Sequence, residues 1–305
     1  MRPTWPLLVL TIGQGLAAGL MTAYAALNLG GAGATAVLWA ALAAAAVGGA
    51  GSFFHMHRLA AAKYVLRRLA SSWLSREALS TGIFGAALAG VLLWRLLALH
   101  PGGGFAAAAV AVALIGWGAV WITAQLYATI RAMMSWNTPL TVLTMAAAAL
   151  VGGGLTAVAV SPRAALAVRL GLAGIIAVSL VFKLMQWRHF RRQHENLGQQ
   201  ATGFPFGSVR LYDTGTSKSP YRVQTQTWEG ISAALRRALQ LSVVGVEFLA
   251  PAVLLLAAGT SRGSLLVAAL SWLVGISLDR WLFFADALHS SRIFFPIEGA
   301  RAASR

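Results

Sequence analysis

The chain has 305 residues, of which 58% are apolar and only 10% are charged, and its mean hydropathy is +0.71. Because soluble domains carry about 25% charged residues, this composition excludes an ordinary soluble protein. The chain contains no cysteine, which excludes a disulfide framework and any thiolate ligand for an iron–sulfur cluster.

Eight apolar runs of roughly 20 residues or more follow one another along the chain, each long enough to cross a hydrocarbon core of about 30 Å. We therefore predict an all-α polytopic membrane protein forming a single domain over 1–305. Alanine and glycine are frequent in the second, fourth and fifth runs, which indicates close helix–helix approach. The first run is longer than a typical signal-peptide core, so we interpret it as a retained span. The predicted spans are 5–29, 33–55, 77–99, 105–130, 138–160, 164–186, 238–259 and 264–289.

The net charge of +16 is unevenly distributed between the two sides of the membrane. With eight spans, 20 of the 24 Lys and Arg residues fall on the side that holds both termini. The positive-inside rule then predicts that both termini are cytoplasmic. The cytoplasmic side also holds segment 56–76, whose leucines and basic residues alternate as in an interfacial basic helix or loop. It further holds the polar insert 187–237, which we expect to be either a docking loop or a flexible loop.

A histidine and a glutamate flank the first cytoplasmic segment. His55 ends the second apolar run and Glu77 begins the third. An imidazole and a carboxylate at one membrane surface suit proton exchange with a lipid-soluble carrier. The structural alternatives are that His55 caps helix carbonyls and that Glu77 complements a helix dipole. Arg58 is a second-tier candidate as a hydrogen-bond donor, and Ser75 is one as a helix N-cap.

Aromatic, basic and amide side chains gather where the fourth span ends and the fifth begins. They lie at the same predicted level as His55, so they are candidates for the wall of the same site. Such residues also serve simply as interface anchors. The residues are Tyr127, Arg131, Trp136 and Asn137.

Charged residues also occur inside the last two spans, where an isolated charge is costly and usually has a partner. Glu247 and Arg280 both lie about 15–18 Å below the inner face by helix length, which predicts a structural ion pair between them. Asp279 and Asp286 share one helical face, and His289 follows; these three residues are candidates for a proton path.

Taken in order, these features resemble the membrane anchor subunit of the dimethyl sulfoxide reductase family. The similarity spans the whole chain, although no single piece is as specific as a metal-ligand motif. It rests on His55 with its basic connector, Ser75-Arg76-Glu77, Ser80-Thr81-Gly82, Tyr127-Ala128-Thr129-Ile130, Trp136-Asn137-Thr138-Pro139, and Asp279-Arg280-Trp281-Leu282-Phe283-Phe284-Ala285-Asp286 with His289.

The resemblance implies an eight-helix anchor in the bacterial inner membrane, with neither haem nor an iron–sulfur cluster in this chain. It implies two partners on the cytoplasmic face, a four-cluster iron–sulfur subunit and a molybdopterin catalytic subunit, and exchange with ubiquinone or menaquinone. In that family, the residues matching His55 and Glu77 are associated with quinol binding and proton handling. The family's Gly-Ser-Pro-Met-Arg run is replaced here by His57-Arg58-Leu59-Ala60-Ala61, so the equivalent basic contact is displaced.

The insert 187–237 is more similar to the anchors of cytoplasmic quinone-dependent sulfite dehydrogenases. We therefore expect electrons to pass from sulfite to quinone, with a quinol-oxidising dimethyl sulfoxide reductase-type complex as the alternative. Two functions of other classes remain open. One is a haem-bearing cytochrome b that uses histidines near the inner surface, and the other is a small-anion transporter with Arg-lined cavities. The histidines are His55, His57, His189 and His289.

Overall fold

The computed structural model describes residues 3–27, 31–55, 66–97, 103–161, 165–195, 203–204, 231–257, 261–287 and 289–290. Within these ranges the protein is a bundle of eight long helices and has no β-strand. The helices are α1 Trp5–Ala26, α2 Gly31–His55, α3 Trp73–Leu97, α4 Gly103–Ala128, α5 Pro139–Val160, α6 Leu166–Glu195, α7 Ala233–Ala257 and α8 Arg262–Ala285.

All eight predicted spans are confirmed, since each helix is long and apolar enough to cross a bilayer. The chain is therefore a multi-pass membrane protein. The boundaries of α6 and α7 differ most from the prediction. The first nine residues of the insert extend α6 as far as Glu195, and five residues at its other end begin α7. The last turns of α6 carry Arg188, Arg191 and Arg192, and cations are favoured at the negative end of a helix dipole.

Helix α3 begins four residues before the predicted span because Ser72 caps it. The Ser72 hydroxyl accepts a hydrogen bond from the Ser75 backbone N–H at 3.3 Å, the usual arrangement at a helix start. The prediction of Ser75 as the N-cap is therefore wrong, and Ser75 lies buried in the first turn. This start places Glu77 one turn inside the helix.

The basic segment before α3 is described only in part, because 56–65 lie outside the described residues. Leu66–Arg68 form a short 3₁₀ turn, and a tight turn leads from it into α3. Arg76 fastens this turn, donating to the Leu69 and Ala70 carbonyls at 2.8 and 2.6 Å. Its guanidinium also lies 4.5 Å from the centre of the Trp73 ring. Among the described residues, this segment is therefore a turn that Arg76 hydrogen-bonds to the start of α3.

The centre of the bundle is formed by α1 and α5, which have the largest buried shares among the spans. Gly19 and Gly153 lie so close together that neither position has room for a Cβ atom. Gly13 and Gly48 make a similar contact between α1 and α2. In lipid, close packing replaces the hydrophobic effect as the force between helices. These contacts confirm the close approach predicted from the small residues of the second and fifth runs.

Helix α7 contains a π-helical stretch over Val244–Leu249, in the middle of the span. Glu247 lies in this stretch and is buried, with 1% of its side chain exposed. Gly275 of α8 packs directly against it, since a Cβ on Gly275 would lie 2.5 Å from the Cα of Glu247. Such π-turns are rare and occur frequently at functional sites. This one brings a carboxylate into the interior of the bundle.

Candidate functional site

Glu77 is the buried carboxylate of the predicted site. It lies in the second turn of α3 with 3% exposure, and its Oε1 atom has no hydrogen-bond partner among the described residues. The Thr123 hydroxyl of α4 lies within hydrogen-bonding range of the carboxyl group. Thr81, one turn further along α3, also has a buried hydroxyl without a partner in the described part of the chain. The Glu77 Oε1 acceptor and the Thr81 hydroxyl donor thus remain available on one face of α3.

The other half of the predicted pair is described only by its backbone. His55 is the last residue of α2, which packs against α3. Its side chain lies outside the described residues, and so does the whole of Arg58. The helix ends that carry His55 and Glu77 therefore belong to neighbouring helices, while the contact between the two side chains stays a prediction.

Tyr127 and Trp136 are buried in an aromatic cluster instead of lining an open groove. The Trp136 ring stacks on Phe283 at 5.3 Å with an interplanar angle of 13°, and its Nε1 donates to the Phe283 carbonyl at 3.1 Å. Tyr127 packs edge-on against Trp136 at 5.4 Å and against Phe284 at 5.5 Å. This cluster fixes the C-terminal end of α4 against α8.

The two polar candidates beside this cluster are exposed. Arg131 points outward from the turn between α4 and α5. Asn137 donates from Nδ2 to the Ala128 carbonyl at 2.7 Å and so closes that turn. Tyr127 is within electrostatic range of both Glu77 and Arg280.

A cluster of four charged side chains lies between α6, α7 and α8. Lys183 Nζ donates to Asp279 Oδ2 at 2.7 Å and to Gln186 Oε1 at 2.9 Å. Glu247 and Arg280 lie within electrostatic range of this pair, and all four charged side chains are at most 3% exposed. We call Lys183, Glu247, Asp279 and Arg280 the ionic cluster. Its two cations and two carboxylates balance in formal charge.

The ionic cluster contains both members of the predicted ion pair but pairs its residues differently. The ion pair formed within it joins Lys183 to Asp279. Glu247 Oε2 and Arg280 Nη1 have no hydrogen-bond partner among the described residues. Glu247 and Arg280 are thus neighbours in one cluster. The ion pair with Asp279 is made by Lys183, which the sequence pattern assigned to the inner surface.

A small cavity lies between α1, α4, α5 and α8. Its volume is about 20 Å³, and its lining includes Gln14, Thr123, Trp272 and Arg280. The Thr123 hydroxyl donates to Gln14 Oε1 at 2.9 Å. Three of the lining residues carry a buried N–H donor without a partner within the described ranges, namely Gln14 at Nε2, Trp272 at Nε1 and Arg280 at Nη1. The cavity is therefore rich in donors and extends from the Thr123 side to the ionic cluster.

The residues predicted as a proton path lie at the C-terminal end of α8 and just after it. Asp286 pairs with Arg236 of α7 at 2.8 Å, and Arg236 is partly exposed. Asp279 and Asp286 line a common gap that has no room for a water molecule. The backbone of His289 pairs with Met133 in the turn between α4 and α5, and partial burial lowers the pKa of the His289 imidazole.

Several members of this network were not predicted from the sequence. Gln14 and Thr123 are polar residues inside long apolar runs, which is the signal that would have identified them. Lys183 lies near the end of the sixth predicted span and was grouped with the basic residues that follow it. Gln186 links the ionic cluster to α5, because its Nε2 donates to the Thr144 hydroxyl at 3.1 Å.

Comparison with known proteins gives one family and one relative. The model of the family described as DMSO reductase anchor subunit (DmsC) matches residues 1–285. The chain is 27% identical over 266 residues to a protein of Allochromatium vinosum that is named as a sulfite dehydrogenase subunit, and the match covers 80% of each protein. No solved structure matches the chain significantly.

Proposed function

Because the chain belongs to the DMSO reductase anchor subunit family, we propose that it anchors a molybdopterin and iron–sulfur oxidoreductase in the bacterial inner membrane and exchanges electrons and protons with quinone. The family and the eight spans establish the membrane anchor itself. The quinone exchange, the identity of the partners and the substrate are the proposed part.

The observation that carries the proposal is the position of Glu77. A carboxyl group at 3% exposure, with one oxygen unpartnered among the described residues, lies one turn from the end of α3 that neighbours the end of α2. An ionisable residue that a protein keeps inside a membrane at such cost is most simply explained by function. Its neighbours Thr123 and Tyr127 carry hydroxyl groups, which can donate and accept hydrogen bonds and so suit proton transfer.

The chemistry assigns complementary roles to the two predicted residues. Quinone takes up two electrons from the iron–sulfur partner and two protons, and becomes quinol. His55 donates a hydrogen bond to one quinone carbonyl, while Glu77 supplies protons to the reduced ring. The cavity of about 20 Å³ is too small for a quinone ring. We therefore place the quinone ring on the side of Glu77 that faces away from this cavity, near the exposed Phe53 and Phe54 at the end of α2.

The inner end of the bundle is suited to hold partners of opposite charge. Its exposed basic side chains form an electropositive surface around the site, and charge complementarity guides such docking. A soluble iron–sulfur subunit bound there would lie directly over the ends of α2 and α3. The exposed residues are Arg67, Arg68, Arg131, Arg188, Arg191, Arg192 and Arg237.

Sulfite is the substrate that we propose for the catalytic partner. The support is the similarity to a protein whose name assigns it to a sulfite dehydrogenase. Sulfite and water give sulfate, two protons and two electrons, and the electrons pass to quinone. The second candidate is a complex that oxidises quinol and reduces dimethyl sulfoxide, which the family description favours. Purified complex assayed with each substrate distinguishes the two.

The quinone role is tested in the intact complex with the variants His55→Ala and Glu77→Gln. We expect both to lose at least about tenfold in sulfite-to-quinone turnover, in line with the loss of a general acid–base. Sulfite turnover with a soluble artificial acceptor should stay at the wild-type rate, because that reaction does not use the anchor. Glu195→Gln, the same chemical change at the end of α6, is the matched control. Full quinone turnover in both variants would refute the proposal.

A further inference from the structure

The small cavity lined by Thr123 is suited to a small hydrogen-bond acceptor. The unpartnered atoms around it, Gln14 Nε2, Trp272 Nε1 and Arg280 Nη1, are all N–H donors in side chains that are at most 3% exposed. Buried donors, and a guanidinium above all, are costly to leave without an acceptor. A water molecule needs at least about 10–15 Å³ and two to four polar partners. The cavity of about 20 Å³ provides both.

Thr123 lies between this cavity and Glu77. It lines the cavity, its hydroxyl donates to Gln14 Oε1 at 2.9 Å, and it is within hydrogen-bonding range of the Glu77 carboxyl. A hydroxyl group rotates freely and can both donate and accept. When its hydrogen turns from Gln14 to Glu77, the Thr123 hydroxyl donates to the carboxyl group and can accept a hydrogen bond from a water in the cavity.

On its opposite side the cavity reaches the ionic cluster through Arg280. The neighbouring carboxylates are Asp279, which is held by Lys183, and Glu247. A water that accepts a hydrogen bond from Arg280 is thus connected electrostatically to two carboxylates as well as to Thr123. In the described structure the cavity is lined both by Thr123 of α4 and by Arg280 of the ionic cluster.

We propose that the cavity holds one water molecule and that Thr123 relays protons between this water and Glu77. When Glu77 gives a proton to the reduced quinone, the Thr123 hydroxyl passes its proton to Glu77 and takes one from the water. Lys183 is the member of the ionic cluster that can release a proton: it returns one to the water and takes one up from the inner side, so each proton that the quinone gains is replaced. This relay rests on the proposed quinone function and adds Thr123 and the donor-lined water site to it.

The test compares Thr123→Val with Thr123→Ser in the intact complex. Valine keeps the shape of threonine and lacks the hydroxyl, whereas serine keeps the hydroxyl. We expect Thr123→Val to lower sulfite-to-quinone turnover about tenfold and to raise its H₂O/D₂O rate ratio, and Thr123→Ser to restore both. Thr129→Val is the matched control, since Thr129 lies exposed after α4 and donates only to the Gln125 carbonyl.

A second variant fills the cavity instead of removing the relay. Gly15 lines it, and a Cβ on Gly15 would lie 3.6 Å from the Ala149 Cβ, an ordinary contact. We expect Gly15→Ala to take up the space for the water and to slow quinone turnover several-fold. Gly118→Ala, where a Cβ meets nothing within 4 Å, should leave the rate unchanged.

The outcomes separate this inference from the quinone role. Loss of quinone turnover in Glu77→Gln together with wild-type turnover in Thr123→Val would overturn the relay and leave the quinone role standing. Wild-type turnover in Glu77→Gln would overturn the quinone role itself. An equal loss in Thr123→Val and Thr123→Ser, with no change in the isotope ratio, would assign Thr123 to packing and overturn the relay.

Discussion

Breaking the ion pair between Lys183 and Asp279 tests whether the ionic cluster stabilises the bundle as a balanced unit. The two side chains are 3% and 1% exposed, and their charged atoms are 2.7 Å apart. Lys183→Met removes one positive charge and leaves Asp279 buried beside Glu247 with one cation fewer. It also removes the donor that Gln186 Oε1 accepts from at 2.9 Å.

The expected loss is large because a buried charge without its partner has no access to water. Removing one member of a buried pair costs about 3–5 kcal/mol, so we expect Lys183→Met and Asp279→Asn each to destabilise the protein by about that amount. The double variant restores the formal charge balance of the ionic cluster. Its loss should therefore be smaller than the sum of the two single losses by about 2–3 kcal/mol.

Equilibrium unfolding in mixed micelles, followed by the fluorescence of the 11 tryptophans, measures all three variants. Arg237→Met is the matched control, because it removes one positive charge from an exposed position. It should change the free energy of unfolding by no more than about 0.5 kcal/mol. Strictly additive losses in the double variant would refute the idea of a charge-balanced cluster.

Two further predictions concern helix packing and orientation. Gly153→Ala places a methyl group against the backbone of Gly19, and we expect a loss of about 1–3 kcal/mol, with Gly118→Ala neutral or slightly stabilising in the same unfolding assay. For orientation, we expect green fluorescent protein fused after Arg305 to fluoresce, because it folds in the cytoplasm, and a fusion in the loop between α3 and α4 to stay dark. A fluorescent loop fusion with a dark C-terminal fusion would reverse the proposed orientation.

The eight spans were predictable because a bilayer imposes one simple requirement on length and polarity. The ends of the helices were less predictable, since they depend on single side chains. The start of α3 depends on the Ser72 hydroxyl and on the contacts that Arg76 makes with the preceding turn. The end of α6 lies beyond the apolar run, because a basic helix can continue outside the membrane. Hydropathy does not report either effect.

The candidate site was predictable only where a charged residue interrupts an apolar run. Glu247 and Arg280 were found in this way, and Glu77 was found because it begins an apolar run. The pairing among them was not predictable, because rotation of each helix about its axis decides which side chains meet. Helical spacing alone did not reveal that Asp279 would face Lys183 of α6. The π-helical stretch in α7 also shifts the phase of the helix at Glu247, and the sequence gives no clear sign of it.

Packing and chemistry use the same polar residues in this bundle. Because lipid supplies no hydrophobic force between helices, interhelical hydrogen bonds and glycine contacts hold them together. Thr123 joins α4 to α1 through Gln14, and Gln186 joins α6 to α5 through Thr144. A variant that deletes such a side chain can therefore lose turnover through altered packing as well as through chemistry. Only substitutions that keep the shape and change one proton-bearing group, such as Thr123→Val set against Thr123→Ser, separate the two effects.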